Sequence, residues 1–314
     1  MKAVLQYRAT PGFQRQIAAL ESDWLRVAIV EETDNERFAH EMQDAAVLLH
    51  VLEPTTAQVM THAPQLKLIQ KLGVGLDTID LEAARSRGIA VCNMPGTNTR
   101  AVAELALLLM LATLRRLALL DAQTRAGKGW TLDTEVLDSL GELGGRTVGL
   151  VGFGAVGRCL TPMLQGIGAR VLYADLREDA GAAATFVSFP DLLSVSDVIS
   201  LHVPLTAETA GMMNERAFAR MKRGAILVNT ARGGLVDDQA LHHALAIGHL
   251  GGAGLDVFDA EPAGASHPMF GLPTVLVTPH LAWFTAETLG RSLGVFVENC
   301  RRLRDGEPLL HRVV

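Results

Sequence analysis

The run TVGLVGFGAVGR, residues 147–158, constrains the fold more than any other stretch of the chain. An apolar, strand-like segment leads straight into Gly152-x-Gly154-x-x-Gly157, and a helical pattern follows at once. Gly152 permits a tight turn. Gly154 removes the side chain where a pyrophosphate must approach. Gly157 lets the helix lie close on the strand, and the free N–H groups at the helix start suit phosphate. Ala155 and Val156 complete the turn. A second strand-like run, VLYAD, ends in Asp175, whose carboxylate can accept hydrogen bonds from a ribose diol and repels a 2′-phosphate. The pattern reads as a dinucleotide site with NAD favoured over NADP, although Arg177 is of the type that serves a 2′-phosphate.

Strand and helix patterns alternate on both sides of this turn. Ahead of it, strands are expected at Ala3–Gln6, Arg26–Val30, Ala46–Val51, Leu66–Lys71 and Ile89–Cys92. Helical patterns over Phe13–Glu21, Glu36–Gln43, Thr56–Ala63 and Leu81–Arg87 separate them. Asn93-Met94-Pro95-Gly96 is a breaker. A long helix from Asn98 to Arg116 and an irregular stretch, Gly127–Leu143, come next. Beyond the turn, strands are expected at Arg170–Ala174, near Val187, and at Asp197–His202, Ala225–Asn229, Gly252–Val257 and Thr274–Thr278. An amphipathic helix, Thr285–Arg304, ends the series. This β-α-β-α rhythm implies parallel sheets with right-handed crossovers, and 314 residues suit two domains at a prior of about 150 each.

Composition narrows the function classes. At 49% hydrophobic and 20% charged, the chain has the apolar material for real cores. A net charge of −6 makes its surface a poor platform for nucleic acid or anionic membrane. Cys92, Cys159 and Cys300 form no CxxC pair, which argues against a disulfide framework and a structural zinc site; reduced thiols in a cytoplasmic protein are expected. No signal peptide is apparent at the N-terminus. The greasiest run, Ala101–Leu114, is shorter than the roughly 20 residues of a membrane span and reads as a buried or subunit-interface helix. His242 and His243 are adjacent on a helix, face different directions and make a poor metal pair, so no metal site is expected.

Three polar residues follow late strands of the second region: Arg232 in NTARGGLVD, Glu261 in GLDVFDAEP and His280 in VTPHLAWFT. Ligands of open parallel sheets bind outside the carboxyl ends of the strands, where all three should project. Hydride transfer to a 2-oxo acid needs these types. Arginine gives a planar fork for the carboxylate. Histidine gives a proton to the developing alkoxide near neutral pH. A carboxylate beside the imidazole orients it and favours its charged form.

These segments resemble the D-isomer-specific 2-hydroxyacid dehydrogenase family over nearly the whole chain. The resemblance rests on KLGVGLDTIDL (71–81), NMPGTNTRAVAELAL (93–107), the glycine turn, DVISLHVPLT (197–206) and the Arg, Glu and His segments in that order. It implies an α/β fold in which a Rossmann NAD-binding domain, 97–285, is inserted into a flavodoxin-like substrate domain, 1–96 with 286–314. It implies a site in the cleft between the domains, and a homodimer. Gly73, Val74 and Gly75 then correspond to a loop whose N–H groups meet the substrate carboxylate, and Asn98 lies near substrate and nicotinamide. Asp256 corresponds to an acid contacting the nicotinamide amide. Val203, Pro204, Thr209, Thr230 and Ala231 lie where the family lines the cofactor.

The substrate is expected to be a small D-2-hydroxy acid or its 2-oxo acid. Phosphoglycerate-oxidising relatives usually carry arginine after the third strand. Here the residues are Leu52-Glu53-Pro54, which opposes phosphate. Trp283 and Phe284 after His280 suggest an aromatic wall at the substrate, and H-x-A-W is similar to glycerate dehydrogenases and hydroxypyruvate reductases. Two alternatives remain at this level: an NADH-sensing dimeric corepressor-like binding protein, and a phosphoglycerate- or phosphite-type dehydrogenase.

Overall fold

The computed structural model describes all 314 residues. They divide into two compact units: Met1–Asn98 with Phe284–Val314, and Thr99–Trp283.

The first unit is a five-stranded parallel sheet: β1 (Lys2–Gln6), β2 (Arg26–Val30), β3 (Val47–His50), β4 (Leu68–Lys71) and β5 (Ala90–Cys92). Its order is β2-β1-β3-β4-β5, the flavodoxin order. Helices α1 (Pro11–Ala18), α2 (Asn35–Met42), α3 (Ala57–Thr61) and α4 (Leu81–Ser86) make the crossovers. Each starts where the sequence supplies a cap: Thr10, Asp34, Thr56 and Asp80 accept from the N–H three residues on. Strands β3, β4 and β5 are buried along their whole length: β3 and β4 are central parallel strands covered on both faces, and the edge strand β5 is covered by the C-terminal residues, with Val313 N donating to Val91 O at 2.8 Å.

The second unit opens with α5 (Thr99–Leu114), α6 (Leu117–Arg125) and α7 (Thr134–Asp138). Its strands are β6 (Thr147–Val151), β7 (Arg170–Ala174), β8 (Thr185–Phe186), β9 (Val198–Leu201), β10 (Ile226–Asn229), β11 (Gly252–Leu255) and β12 (Val275–Val277). Helices α8 (Ala155–Gly166), α9 (Phe189–Val195), α10 (Glu215–Arg220) and α11 (Asp238–Ala246) lie between them. All pairings are parallel, in the order β12-β11-β10-β9-β6-β7-β8. The order reverses between β6 and β9, which is where an open α/β sheet leaves its ligand crevice. The last helix, α12 (Ala286–Asp305), belongs to the first unit and lies against α1.

Two differences from the sequence reading have physical causes. Most strands are one or two residues shorter than their apolar runs, because the runs continue into the turns. The other is α6, which carries no buried residue and so lacks the one-sided apolar stripe that marks a helix in sequence. The apolar run 101–114 is largely buried in its own unit, one of the two settings expected for it: α5 buries Ala103, Ala106, Leu109 and Met110 at 1% exposure or less, while Leu108 stays 53% exposed. Strand β11 makes room for it, since a Cβ on Gly254 would come 2.8 Å from Leu109 Cβ. No helix is long and apolar enough to cross a membrane. All three cysteines are free, Cys92 and Cys300 buried and Cys159 partly so.

Candidate active site and nucleotide turn

The glycine turn follows β6 at the switch point. Gly152 has φ +95°, and a Cβ there would come 2.7 Å from the His202 carbonyl oxygen. A Cβ on Gly157 would come 2.7 Å from the Gly152 carbonyl oxygen. These two glycines are demanded by the fold itself. Gly154 is different: it caps α8 with φ −76°, and a Cβ there would meet nothing within 4 Å. The open space at the start of α8 has the place and character of a phosphate cradle. Asp175, exposed at the end of β7, accepts from Phe153 N at 2.7 Å and from Leu176 N at 2.6 Å. The Phe153 ring stacks on buried Tyr173 at 4.1 Å, and the Arg158 guanidinium lies 5.1 Å from its centroid. Arg158 also pairs with Asp179.

The neighbouring strand ends carry polar atoms with nothing to bond. Thr230 Oγ1, after β10, and His202 Nε2, after β9, are buried without a partner. Burial holds the His202 imidazole down to about 4. Such atoms are costly to leave unmade, and together with the open Gly154 they fit a dinucleotide. Val203 is partly buried and Pro204 exposed beside them. The Thr209 hydroxyl is committed to its own turn, donating to Pro204 O at 2.7 Å and accepting from Thr206 N at 2.8 Å.

The turn after β10 is built by Asn229, which is 1% exposed. Its Oδ1 accepts from Ala231 N at 3.0 Å and its Nδ2 donates to Arg232 O at 2.8 Å, so one side chain brackets the segment bearing Arg232. Arg232 is extended, with Nη1 donating to Ala231 O at 2.7 Å. Gly233 has no room for a Cβ, which would collide with the Phe258 carbonyl. The turn after β11 is thereby pressed against the turn after β10.

His280 and Glu261 come together from separate turns. His280 Nδ1 lies 2.5 Å from Glu261 Oε2, and Glu261 Oε1 accepts from Phe258 N at 2.9 Å. Burial alone would raise the Glu261 pKa; the hydrogen bonds from His280 and Phe258, with the charges of His280 and Arg232, outweigh it and hold the carboxyl below its ordinary range. With Nδ1 engaged, Nε2 is the nitrogen left to exchange a proton with a ligand. His280 also has φ +54°, a left-handed conformation that a non-glycine residue adopts only when its surroundings impose it.

Asp256 imposes it. The Asp256 side chain is fully buried. Oδ1 accepts from Thr278 Oγ1 at 2.6 Å and Leu281 N at 3.0 Å, Oδ2 from Ala282 N at 2.9 Å, and its carbonyl from His280 N at 2.7 Å. Burial pushes its pKa up against those bonds. The resemblance makes Asp256 a nicotinamide contact, but its carboxylate is spent on the 278–282 turn and shows no surface. Trp283 differs as well. At 8% exposure it is buried rather than offered as an open wall. The Phe284 ring lies 6.3 Å from that of Tyr7 and 6.5 Å from that of Phe13.

In the first unit the 73–75 loop follows β4. Gly73 has φ +137° and its carbonyl accepts from Met94 N at 2.8 Å; the Val74 carbonyl accepts from Asn93 Nδ2 at 3.1 Å. The N–H groups of Val74 and Gly75 enter no hydrogen bond of the fold. Asn98 is the partly buried last residue of this segment. Asn229, Phe258 and Thr278 escape sequence reading because Asn229 holds main-chain atoms, Phe258 acts through its own N–H, and the Thr278 hydroxyl meets the Asp256 carboxylate only once the chain is folded. The one signal was a polar residue closing the apolar run ILVN.

The chain is similar to known proteins over most of its length. Residues 107–282 match the model described as D-isomer specific 2-hydroxyacid dehydrogenase, NAD binding domain. The D-3-phosphoglycerate dehydrogenase of Mycobacterium leprae (strain TN) is 41% identical over 300 residues, which are 94% of this chain and 56% of that protein. This chain thus spans about half the length of that relative. The glyoxylate reductase of Korarchaeum cryptofilum (strain OPF8) is 40% identical over 272 residues, 85% of this chain and 82% of the relative. Among solved structures, the NAD-dependent formate dehydrogenase from Staphylococcus aureus in complex with NAD superposes with a TM-score of 0.90 at 32% identity, covering 100% of this chain and 99% of that one.

Proposed function

This chain belongs to the D-isomer specific 2-hydroxyacid dehydrogenase family, and from that premise we propose that it is an NAD-dependent reductase of small 2-oxo acids of the glyoxylate and hydroxypyruvate type. The observation that carries the reading is the His280–Glu261 pair at 2.5 Å, set in turns at the carboxyl edge of a dinucleotide-type sheet beside the Arg232 turn.

Gly152, Gly154, Ala155, Val156 and Gly157 hold the pyrophosphate, Asp175 holds the adenosine ribose, and Val203, Pro204, Thr209, Thr230 and Ala231 line the rest of the dinucleotide. When bound, NADH supplies the hydride. The Arg232 fork clamps the substrate carboxylate. In the first unit, the resemblance makes Val74, Gly75 and Asn98 substrate-binding residues. His280 Nε2 gives its proton to the carbonyl oxygen as the carbonyl carbon takes up the hydride. The products are the 2-hydroxy acid and a neutral imidazole that solvent reprotonates. Glu261 stabilises the charged imidazole before the transfer. Asp256 holds the His280 turn.

The curated relatives divide between phosphoglycerate and glyoxylate enzymes. What favours an unphosphorylated substrate is the acidic carboxyl edge of the first unit. Glu53 follows β3, and Glu31 and Glu32 follow β2. Burial first, then the charge of Glu53, push the Glu32 pKa up against the backbone hydrogen bond and charge of Arg8, and Glu31 adds to the rise, so the acids repel one another while Arg8 partly offsets them. A phosphate would add to that repulsion. The test compares hydroxypyruvate with 3-phosphohydroxypyruvate, each with NADH and NADPH. We expect kcat/KM at least tenfold higher for hydroxypyruvate with NADH. Preference for the phosphorylated substrate would overturn the assignment.

A further inference from the structure

The long connection from β11 to β12, residues 256–274, carries Glu261, and its one regular element is the single helical turn Pro268–Gly271. Phe258 and Met269 are buried, and the chain between them is mostly exposed. A carboxylate that must meet His280 Nδ1 at hydrogen-bond distance is thus borne on a stretch with little packing of its own.

A second histidine–carboxylate pair stands farther along this connection and has no part in the chemistry above. His267 Nδ1 accepts from Met269 N at 3.4 Å, which leaves Nε2–H to donate to Asp238 Oδ2 at 3.2 Å. Asp238 opens α11, the helix that follows the Arg232 turn. The His267 side chain is 14% exposed and that of Asp238 28%. The His267 ring packs on Phe258 at 5.2 Å and on Phe270 at 5.1 Å, and Phe258 is the residue whose N–H holds Glu261 Oε1. The same two segments meet once more upstream, where the missing Cβ of Gly233 lets the Phe258 carbonyl close on the Arg232 turn. The stretch bearing Glu261 is therefore fastened on both sides, at Phe258 and at His267. Burial pushes the Asp238 pKa up; the charge and bond of His267 act against it, and Asp259 and Asp237 add to the rise. Glu261 itself faces the charges of His280 and Arg232.

We propose that His267 and Asp238 are positioning residues for the proton donor: their bond pins the far end of the Glu261 stretch to α11 and so sets how closely Glu261 meets His280 Nδ1. A carboxylate held against an imidazole favours its charged form. With the bond cut, Glu261 holds the proton less well, and reduction loses its donor at a lower pH. A bond that served stability alone would leave the pH profile where it is. The proposal rests on the reading of His280 as proton donor to a 2-oxo acid.

His267→Phe keeps a ring against Phe258 and Phe270 and removes both nitrogens. Asp238→Ala removes the acceptor, and Asp238→Asn keeps an acceptor for Nε2–H. The readouts are kcat for glyoxylate against pH, the NADH dissociation constant, and the downfield proton resonance of His280 Nδ1–H, identified by its absence from His280→Ala. We expect His267→Phe and Asp238→Ala to lower kcat at neutral pH by about tenfold and to move the alkaline limb of the profile down by about half a pH unit or more, with NADH affinity within about threefold. The resonance should move upfield in both. Asp238→Asn should stay within about twofold in kcat and about 0.2 pH unit of the wild-type limb. If His267→Phe does not fold, the two Asp238 variants, at a partly exposed helix start, carry the same comparison. A lower kcat with the limb and the resonance unmoved would make the pair merely structural and overturn the proposal, as would Asp238→Asn shifting the limb as far as Asp238→Ala. Wild-type protein that turns over no 2-oxo acid would instead sink the underlying reading, and the resonance, which needs no substrate, would still test the bond.

Discussion

His280 stands in a left-handed conformation because Asp256 grips the turn on both sides of it, through Thr278, Leu281 and Ala282. Two substitutions separate chemistry from placement. His280→Ala removes the proton donor and should lower kcat by roughly 10²–10⁴-fold, leaving the NADH dissociation constant, read by fluorescence, within about threefold. Turnover near wild type would remove His280 from its role. Asp256→Asn turns an amide donor toward backbone N–H groups that need an acceptor. It should destabilise the fold by about 1–3 kcal/mol and lower kcat more than it weakens NADH. If NADH affinity collapses while kcat at saturation holds, Asp256 touches the cofactor after all. Arg232, Glu261 and His280 were legible in the sequence because each is a polar residue just past an apolar strand. Asn229 and the clamp of Asp256 were not, since Asn229 meets main-chain atoms and Asp256 meets main-chain N–H groups and the Thr278 hydroxyl of a turn that only the fold brings near.

The glycine turn was legible as an element because each of its three glycines answers to a different demand, and the structure keeps those demands apart. Gly152→Ala would force a side chain into φ +95° and against the His202 carbonyl, so loss of both thermal stability and NADH binding is expected. Gly154→Ala meets no protein atom within 4 Å, so the melting temperature should stay within about 2 °C, a shift equal to less than 1 kcal/mol. NADH affinity should still fall tenfold or more, as a methyl group enters the phosphate space. An unchanged NADH affinity in Gly154→Ala would argue against a phosphate there. The apolar run 101–114 was less legible. Hydrophobicity told that α5 is buried but not against what, and glycines in β11, distant in sequence, supply the answer.

At the scale of the whole molecule, each unit holds one buried neutral histidine. His50 is held to about 3 and His202 to about 4, while in the unfolded chain each binds a proton below about 6.5. The unfolded state therefore takes up more protons as pH falls, and stability is lost from pH 6.5 downward, by about 2 kcal/mol per histidine at pH 5. Urea midpoints at pH 7, 6 and 5 should fall in step, and less steeply in His50→Gln; midpoints that do not move would show that the imidazoles charge in place. Helices α6 and α7 bury no residue, and Leu108, Leu117, Trp130 and Leu137 are 53%, 53%, 92% and 49% exposed along this segment. Apolar surface of this kind calls for cover, and we propose a second copy of the chain; light scattering should give a dimer, and a monomer at micromolar concentration would refute it. The central claim is that this protein reduces a small 2-oxo acid at the expense of NADH, with His280 as the proton donor. Its most direct test is NADH oxidation followed at 340 nm with glyoxylate and hydroxypyruvate, for the wild type and His280→Ala side by side. The account predicts stoichiometric loss of NADH with the 2-hydroxy acid as product in the wild type and almost none in the variant; no oxidation with either acid, or equal rates in the two proteins, would contradict it.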